Sequence, residues 1–280
     1  NIQVTVETPE GEIITQIRHI ESSEPNFDQL DYLNNLCRYV CQHTPDENEM
    51  REKYLEVINR EPQKRITRYA AGIMGGTGFA VFFGCNLRDA VIAFIVSVMI
   101  VAVGDWLAKR ESNLLVYNGI LAFISEVIII GALKMGIAEH PDRIMIGIVM
   151  LLISGLSTTN GIRDLLQRDF ISGFINIMNS FLGAAGIAFG IGLAIILFHE
   201  GYSDHFILNH SVPIQLLSCT VACTGFALWF KIRGKQVWYN SIGAFFTWAI
   251  YVAVYAVKPS NFMATMIAAG FVGFYAFIMS

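Results

Sequence analysis

Charge is scarce in this chain. Asp, Glu, Lys and Arg make up 15% of its 280 residues, whereas a soluble domain carries about a quarter. That scarcity argues against an ordinary soluble globular protein. The net charge of −4, with no clustered basic stripe, argues against a nucleic-acid partner. The cysteines at 37, 41, 85, 219 and 223 form no CxxC pair, so they read as small apolar fillers or free thiols. No glycine-rich phosphate loop is present, and nothing suggests ATP-driven transport. "AVGD" (102–105) has no second intramembrane aspartate, against an aspartyl intramembrane protease. "HEGYSDH" (199–205) is not HExxH; with His210 it is a weak outer-side metal candidate, and no metal or cofactor is assigned. Nothing points to an enzyme.

What fills the chain instead is apolar sequence, 54% of residues. A bilayer span needs about 20 mostly apolar residues. Runs of that kind lie at Ile66–Gly84, Ala90–Leu107, Leu114–Gly136, Phe174–Phe198, Pro213–Phe230, Trp238–Val257 and Phe262–Met279, with a shorter one at Ile144–Leu156. Eight spans predict an all-α polytopic membrane protein.

Residues 1–65 differ. They carry 13 acidic against 7 basic residues, and the rest of the chain 10 against 12. Alternation around Pro9-Glu10-Gly11 predicts a β-hairpin. Leu30, Leu33, Leu36 and Val40 fall on one helical face, and Met50, Tyr54, Leu55 and Ile58 mark a second amphipathic helix. This is a small α+β unit. The chain opens without Met in what reads as mid-sheet, with no signal peptide, so further residues are expected upstream.

Loop charges set the orientation. Arg60, Lys64, Arg65, Arg68, Lys109, Arg110, Arg163, Arg168, Lys231, Arg233 and Lys235 fall on one side; Arg88, Lys134, Arg143 and Lys258 fall on the other. The bias predicts a cytoplasmic N-terminal unit in a bacterial inner membrane.

"TGFAVFF" (77–83) recurs as "TGFALWF" (224–230), identical at five of seven positions with an offset of 147. Five spans separate the copies, so the second enters from the opposite side. Inverted repeats are a hallmark of secondary transporters. The expected organisation is the 1–65 unit, a five-span half over 66–198, and three spans of a second half over 213–280; the remaining two are expected downstream or on a partner chain.

Between the fourth and fifth runs lies "GLSTTNGIRDLLQRDFISG", Gly155–Gly173. It resembles the signature of the threonine/serine exporter (ThrE-type) family at Gly155, Thr159, Asn160, Ile162, Arg163, Asp164, Leu165, Asp169, Ser172 and Gly173. The family's proline is replaced by Ser154. The resemblance runs the length of the chain and implies a fused two-half exporter, truncated at both ends. In some relatives the halves are separate proteins, and one such pair is associated with succinate export. A secondary exporter of threonine or serine is therefore expected, with small dicarboxylates or a non-transporting scaffold role as alternatives. Its partners would be the small-molecule substrate, protons, the lipid bilayer and, in one form, a second copy of itself.

The residues suggest how such a site would work. Asn160 is placed to N-cap a short helix, Gly161–Arg168, whose N-terminus would bind a carboxylate. Arg163 would add a cation. Asp169, Ser172, Asn176, Asn179, Gly183, Gly186 and Gly190 share one helical face; its polar half suits a cavity lining or a helix–helix bond, and its small half suits close packing. Thr159, Asn160, Arg163, Asp169, Ser172, Asn176 and Asn179 are the candidate substrate-binding residues. Glu126, near mid-span, is the candidate proton-coupling group, with Asn118 and Ser125 nearby. Asp105 reads as an interfacial charge, and Gly72 with Gly76 as packing. The orientation is checked with Gly234→Cys in a background whose native cysteines are serine. An impermeant maleimide should label it only after the cells are opened; labelling from outside overturns the orientation and the inverted repeat together.

Overall fold

The computed structural model describes residues 2–8, 11–18, 26–111, 113–153, 155–198 and 211–279. Pro9 and Glu10 of the predicted turn, Ser154 and the histidine group of 199–210 lie outside the described residues. Contacts divide the chain into two units, Asn1–Glu61 and Pro62–Ser280.

In the first unit, strands β1 (Ile2–Glu7) and β2 (Ile13–Arg18) pair antiparallel, with Val4 opposite Gln16 and Val6 opposite Ile14. Helices α1 (Phe27–His43) and α2 (Glu47–Ile58) form a hairpin. Each begins where a side chain accepts a free helix N–H: Asn26 from Gln29, and Asp46 from Glu49. Leu33, Leu36 and Val40 line an open groove facing Met50 and Tyr54. The Tyr39 hydroxyl donates to Glu49 at 2.7 Å, and Arg60 pairs with Asp28 at 3.3 Å while lying over the Tyr32 ring.

The second unit holds nine helices among the described residues: α3 (Arg65–Phe82), α4 (Leu87–Leu107), α5 (Leu114–Lys134), α6 (Pro141–Leu152), α7 (Gly155–Leu166), α8 (Phe170–Phe198), α9 (Val212–Trp229), α10 (Lys235–Val257) and α11 (Asn261–Met279). Six of them, α4, α5 and α8–α11, are long and apolar enough to cross a membrane, and α6 with α7 makes a seventh if the bent pair is one span. The protein is a multi-pass membrane protein.

The expectation of eight independent spans needs two corrections. The first predicted span forms α3, but Arg65, Arg68 and four glycines leave it short of the hydropathy a lipid-facing span requires. It sits among α4, α6 and α9, so protein rather than lipid covers much of it. The fourth run breaks after Leu152: α6 is 12 residues, about 18 Å at 1.5 Å per residue, and α7 leaves at an angle of 52°.

Contact between α3 and α9 is made backbone to backbone. A Cβ on Gly78 would lie 2.9 Å from the Ala222 nitrogen, and one on Gly225 would lie 2.5 Å from the Gly75 nitrogen. With an offset of 147, Gly78 corresponds to Gly225 and Gly75 to Ala222, so the contact is reciprocal. Phe79 meets its own counterpart, Phe226, edge to face at 5.5 Å. The two helices also end alike. Gly84 and Cys85 donate to Val81 and Ala80; Lys231 and Ile232 donate to Leu228 and Ala227. The turn residue is Gly84 (φ +105°) in one copy and Lys231 (φ +62°) in the other. After the turn the register grows to 148, so that α10 begins at Lys235 where α4 begins at Leu87.

α5 and α8 run parallel and equally close. Gly186 and Gly190 present bare backbone to the carbonyls of Leu115 and Gly119, and Asn118 donates to the Gly183 carbonyl at 3.3 Å. The apolar core lies between α4, α5 and α6, around Ile92, Val96, Ile129, Ile144 and Ile148. At one end of that core Asp89 is wholly buried. It accepts from the backbone N–H groups of Glu139 (2.8 Å) and His140 (3.2 Å) and contacts His140 Nδ1 at 2.9 Å. The first turn of α4 is thereby tied to the segment that leads into α6. Burial pushes the thiol of nearby Cys85 up, so it stays protonated.

Gly225→Val should drive a side chain into the α3 backbone and cost about 1–3 kcal/mol, while Gly270→Ala, with open space around it, should be nearly neutral. Melting temperatures in detergent check the contrast.

Candidate functional site

The signature stretch forms the α7–α8 hairpin. Its helix starts earlier than the capping argument predicts. α7 begins at Gly155, not Gly161, and Asn160 sits inside it rather than at its N-cap. The polar side chains do not stop the helix: the Thr159 hydroxyl bonds back to the Gly155 carbonyl at 3.0 Å, the usual way a threonine is tolerated within a helix. The helix ends at Leu166 through donation from Arg168 to Leu165 and from Asp169 to Asp164, with Arg168 at φ +67°.

Three polar or glycine contacts hold α7 against α8. Thr158 and Ser180 share a 2.6 Å hydroxyl bond. Gly161 lies against Gly173 and Ile177. Asn176 donates to Asp164 at 2.9 Å. Of the two roles open to Asn176, lining a cavity or bonding another helix, this hydrogen bond across to α7 is the second. Asp169 caps the start of α8: its backbone carbonyl accepts from Gly173, and its carboxylate from the Ser172 N–H at 3.4 Å, a long bond. The expected cluster therefore divides. Asn176 bonds across to α7, and Asp169 with the Ser172 N–H caps the start of α8; Thr159, Asn160 and Arg163 are exposed on α7, and Asn179 is exposed on α8.

Sequence reasoning passed over Asp164 and Ser180 as structural partners, although both lie a helical turn or less from residues it singled out. It also passed over Asp89 and His140, which no local pattern links because about 50 residues separate them.

Glu126 is where the sequence placed it. It lies mid-helix in α5 and is 1% exposed. Around it, Ala122, Ser125 and Ile129 of α5, Met145, Ile148, Val149 and Leu152 of α6, and Ile191 of α8 enclose a void of about 10 Å³, enough for one water. Leu152 is the last residue of α6, so this void adjoins the break between α6 and α7. Ser125 bonds its own helix at Leu121. Asp105 pairs with Arg68 at 2.7 Å, as suits an interfacial charge.

A helix-packed membrane protein with a bent, interrupted helix pair beside a buried acidic side chain has the parts of a secondary transporter. The comparisons place it further. A family model described as "Putative threonine/serine exporter" matches residues 1–198, and a second, "Threonine/Serine exporter, ThrE", matches 215–280. The chain belongs to the threonine/serine exporter family. It is similar to a threonine/serine exporter of Corynebacterium glutamicum, 25% identical over 182 residues, covering 62% of this chain and 37% of that protein. The chain thus spans a little over a third of that relative's length. No solved structure matches it.

Because Asn160 and Arg163 are exposed, Asn160→Ala and Arg163→Gln should leave stability within about 0.5 kcal/mol of the parent. Gly161→Val should part the hairpin. The readout is oxidative cross-linking of Thr158→Cys with Ser180→Cys, which should form in the first two backgrounds and fail in the third.

Proposed function

We propose that this protein exports threonine or serine in exchange for protons, with Glu126 as the group that carries the proton. The family match supports the transport class. The observation that carries the mechanism is the place of Glu126: a carboxyl 1% exposed in the middle of α5, beside a small void between α5, α6 and α8 and next to the end of α6.

The α6–α7 break suits an amino acid. Helix ends leave groups outside the intrahelical ladder, carbonyls in the last turn of α6 and N–H groups in the first turn of α7. Carbonyls complement a substrate's ammonium, and N–H groups at a helix N-terminus complement its carboxylate. Moving that N-terminus from Gly161 to Gly155 brings it two turns closer to the end of α6 and to the Glu126 void. Thr159, Asn160 and Arg163 on the exposed face of α7 then meet the substrate as it enters or leaves, and Asp169, Ser172, Asn176 and Asn179 shape the hairpin that carries them. The two halves are read as an inverted repeat. Support comes from the 147 offset, the reciprocal glycine contacts and the matching helix ends. The N-terminal unit is assigned to the cytoplasm on loop charge.

Proteoliposomes loaded with radiolabelled threonine test this reading. Efflux should accelerate under an inward proton gradient. Glu126→Gln should abolish the acceleration yet retain threonine–threonine exchange. Equal loss of folding yield and of both activities makes Glu126 structural, and equal efflux with and without a gradient removes the proton from the mechanism.

A further inference from the structure

We infer that the water-accessible transport path lies within the first half of the protein, between α5, α6 and α8, and not at the α3–α9 seam between the repeated halves. The inference rests on the exporter reading above and adds where in the bundle the substrate moves. A repeat interface is the general expectation for such a path, so the two locations make opposite predictions.

The seam is closed. Gly78 against Ala222 and Gly225 against Gly75 leave no room for even a methyl group, and Phe79 with Phe226 fills the contact beside them. Opening it would separate backbones across several turns. Trp229 lies over Gly72 at one end of α3, and the Phe82 ring packs on Trp248 at the other.

Polar chemistry has been kept on one side. Among the described residues, the buried polar side chains are Asp89, Ser97, Asn118, Ser125, Glu126, Ser218 and Ser241. The first five belong to α4 and α5. The other two are serines of α9 and α10 whose hydroxyls return to the carbonyls of Ile214 and Val237, as those of Ser97 and Ser125 return to their own helices; Ser241 also bonds Thr224 of α9 at 2.6 Å. By the helix starts, in register 148 for α4 with α10 and 147 for α5 with α11, the second-half counterparts of those five are Val237, Phe245, Thr265, Val272 and Gly273. Burying a carboxyl or amide in a bilayer is costly.

The remaining features gather in the same half. The void beside Glu126 lies between α5, α6 and α8. α6 stops at that void and turns by 52° into α7. The close α5–α8 contact through Gly186 and Gly190 makes one wall rigid, and Gly147 against Ala80 holds α6 as closely to α3.

Water access separates the alternatives without relying on flux. In a background whose native cysteines are serine, Met145→Cys and Leu152→Cys probe the proposed path, and Met74→Cys and Ala222→Cys probe the seam. A small permeant-excluded methanethiosulfonate is applied to the reconstituted protein. The path positions should react at least tenfold faster than the seam positions, and saturating threonine should slow them. Faster reaction at Met74 or Ala222, or equal rates at all four, overturns the inference. A threonine effect absent at every position, with the rate difference retained, keeps the path and discards threonine as its substrate. A parent that shows no threonine flux while the rate difference persists tells against the exporter reading alone.

Discussion

The bundle depends on backbone-to-backbone contact between helices that lack side chains where they meet. In a bilayer, apolar side chains gain nothing by leaving lipid for one another, so association falls to close van der Waals packing and to hydrogen bonds. α3 with α9, and α5 with α8, both use glycine to that end. The first contact joins α9–α11 to the rest of the bundle. The second forms a stiff parallel pair.

α3 shows what such packing permits. A helix surrounded by partners need not be apolar enough to dissolve in lipid, and α3 is not. Its glycines, a liability for an isolated helix, are what let α9 approach. α6 and α7 exploit the opposite freedom. A break at membrane depth is tolerated where protein or a cavity surrounds it, and α6 ends against α5 and α8 beside the Glu126 void. The polar residues of α7 and α8 divide between two tasks. One set, Thr158, Asp164, Asn176 and Ser180, spends its hydrogen bonds on holding the hairpin; the other, Thr159, Asn160 and Arg163, is presented outward.

Much of this was legible in the amino-acid order. Apolar runs longer than 17 residues located α4, α5 and α8–α11, because span length is set by bilayer thickness. Glu126 stood out as one acidic residue in an apolar run, and the repeat of Thr-Gly-Phe-Ala pointed to the helices that prove to be in contact. One reading went astray for an identifiable reason: Asn160 resembled an N-cap, but a capping residue can also sit inside a helix, and α7 starts at Gly155. The partner of Asn176, Asp164, was not legible because it lies across a turn whose geometry depends on Arg168 adopting a left-handed conformation.

The sequence by itself determined that the chain is a helical membrane protein with a small α+β unit ahead of it, and which family it belongs to. These follow from composition, run length and motif spacing, all local quantities. Tertiary structure decided which glycines face a backbone and which face open space, that Asp89 reaches across to His140, and that α6 stops beside Glu126. Those facts depend on which helix lies beside which. A pattern of period 3.6 shows which residues share a face of a helix, but not what lies opposite that face.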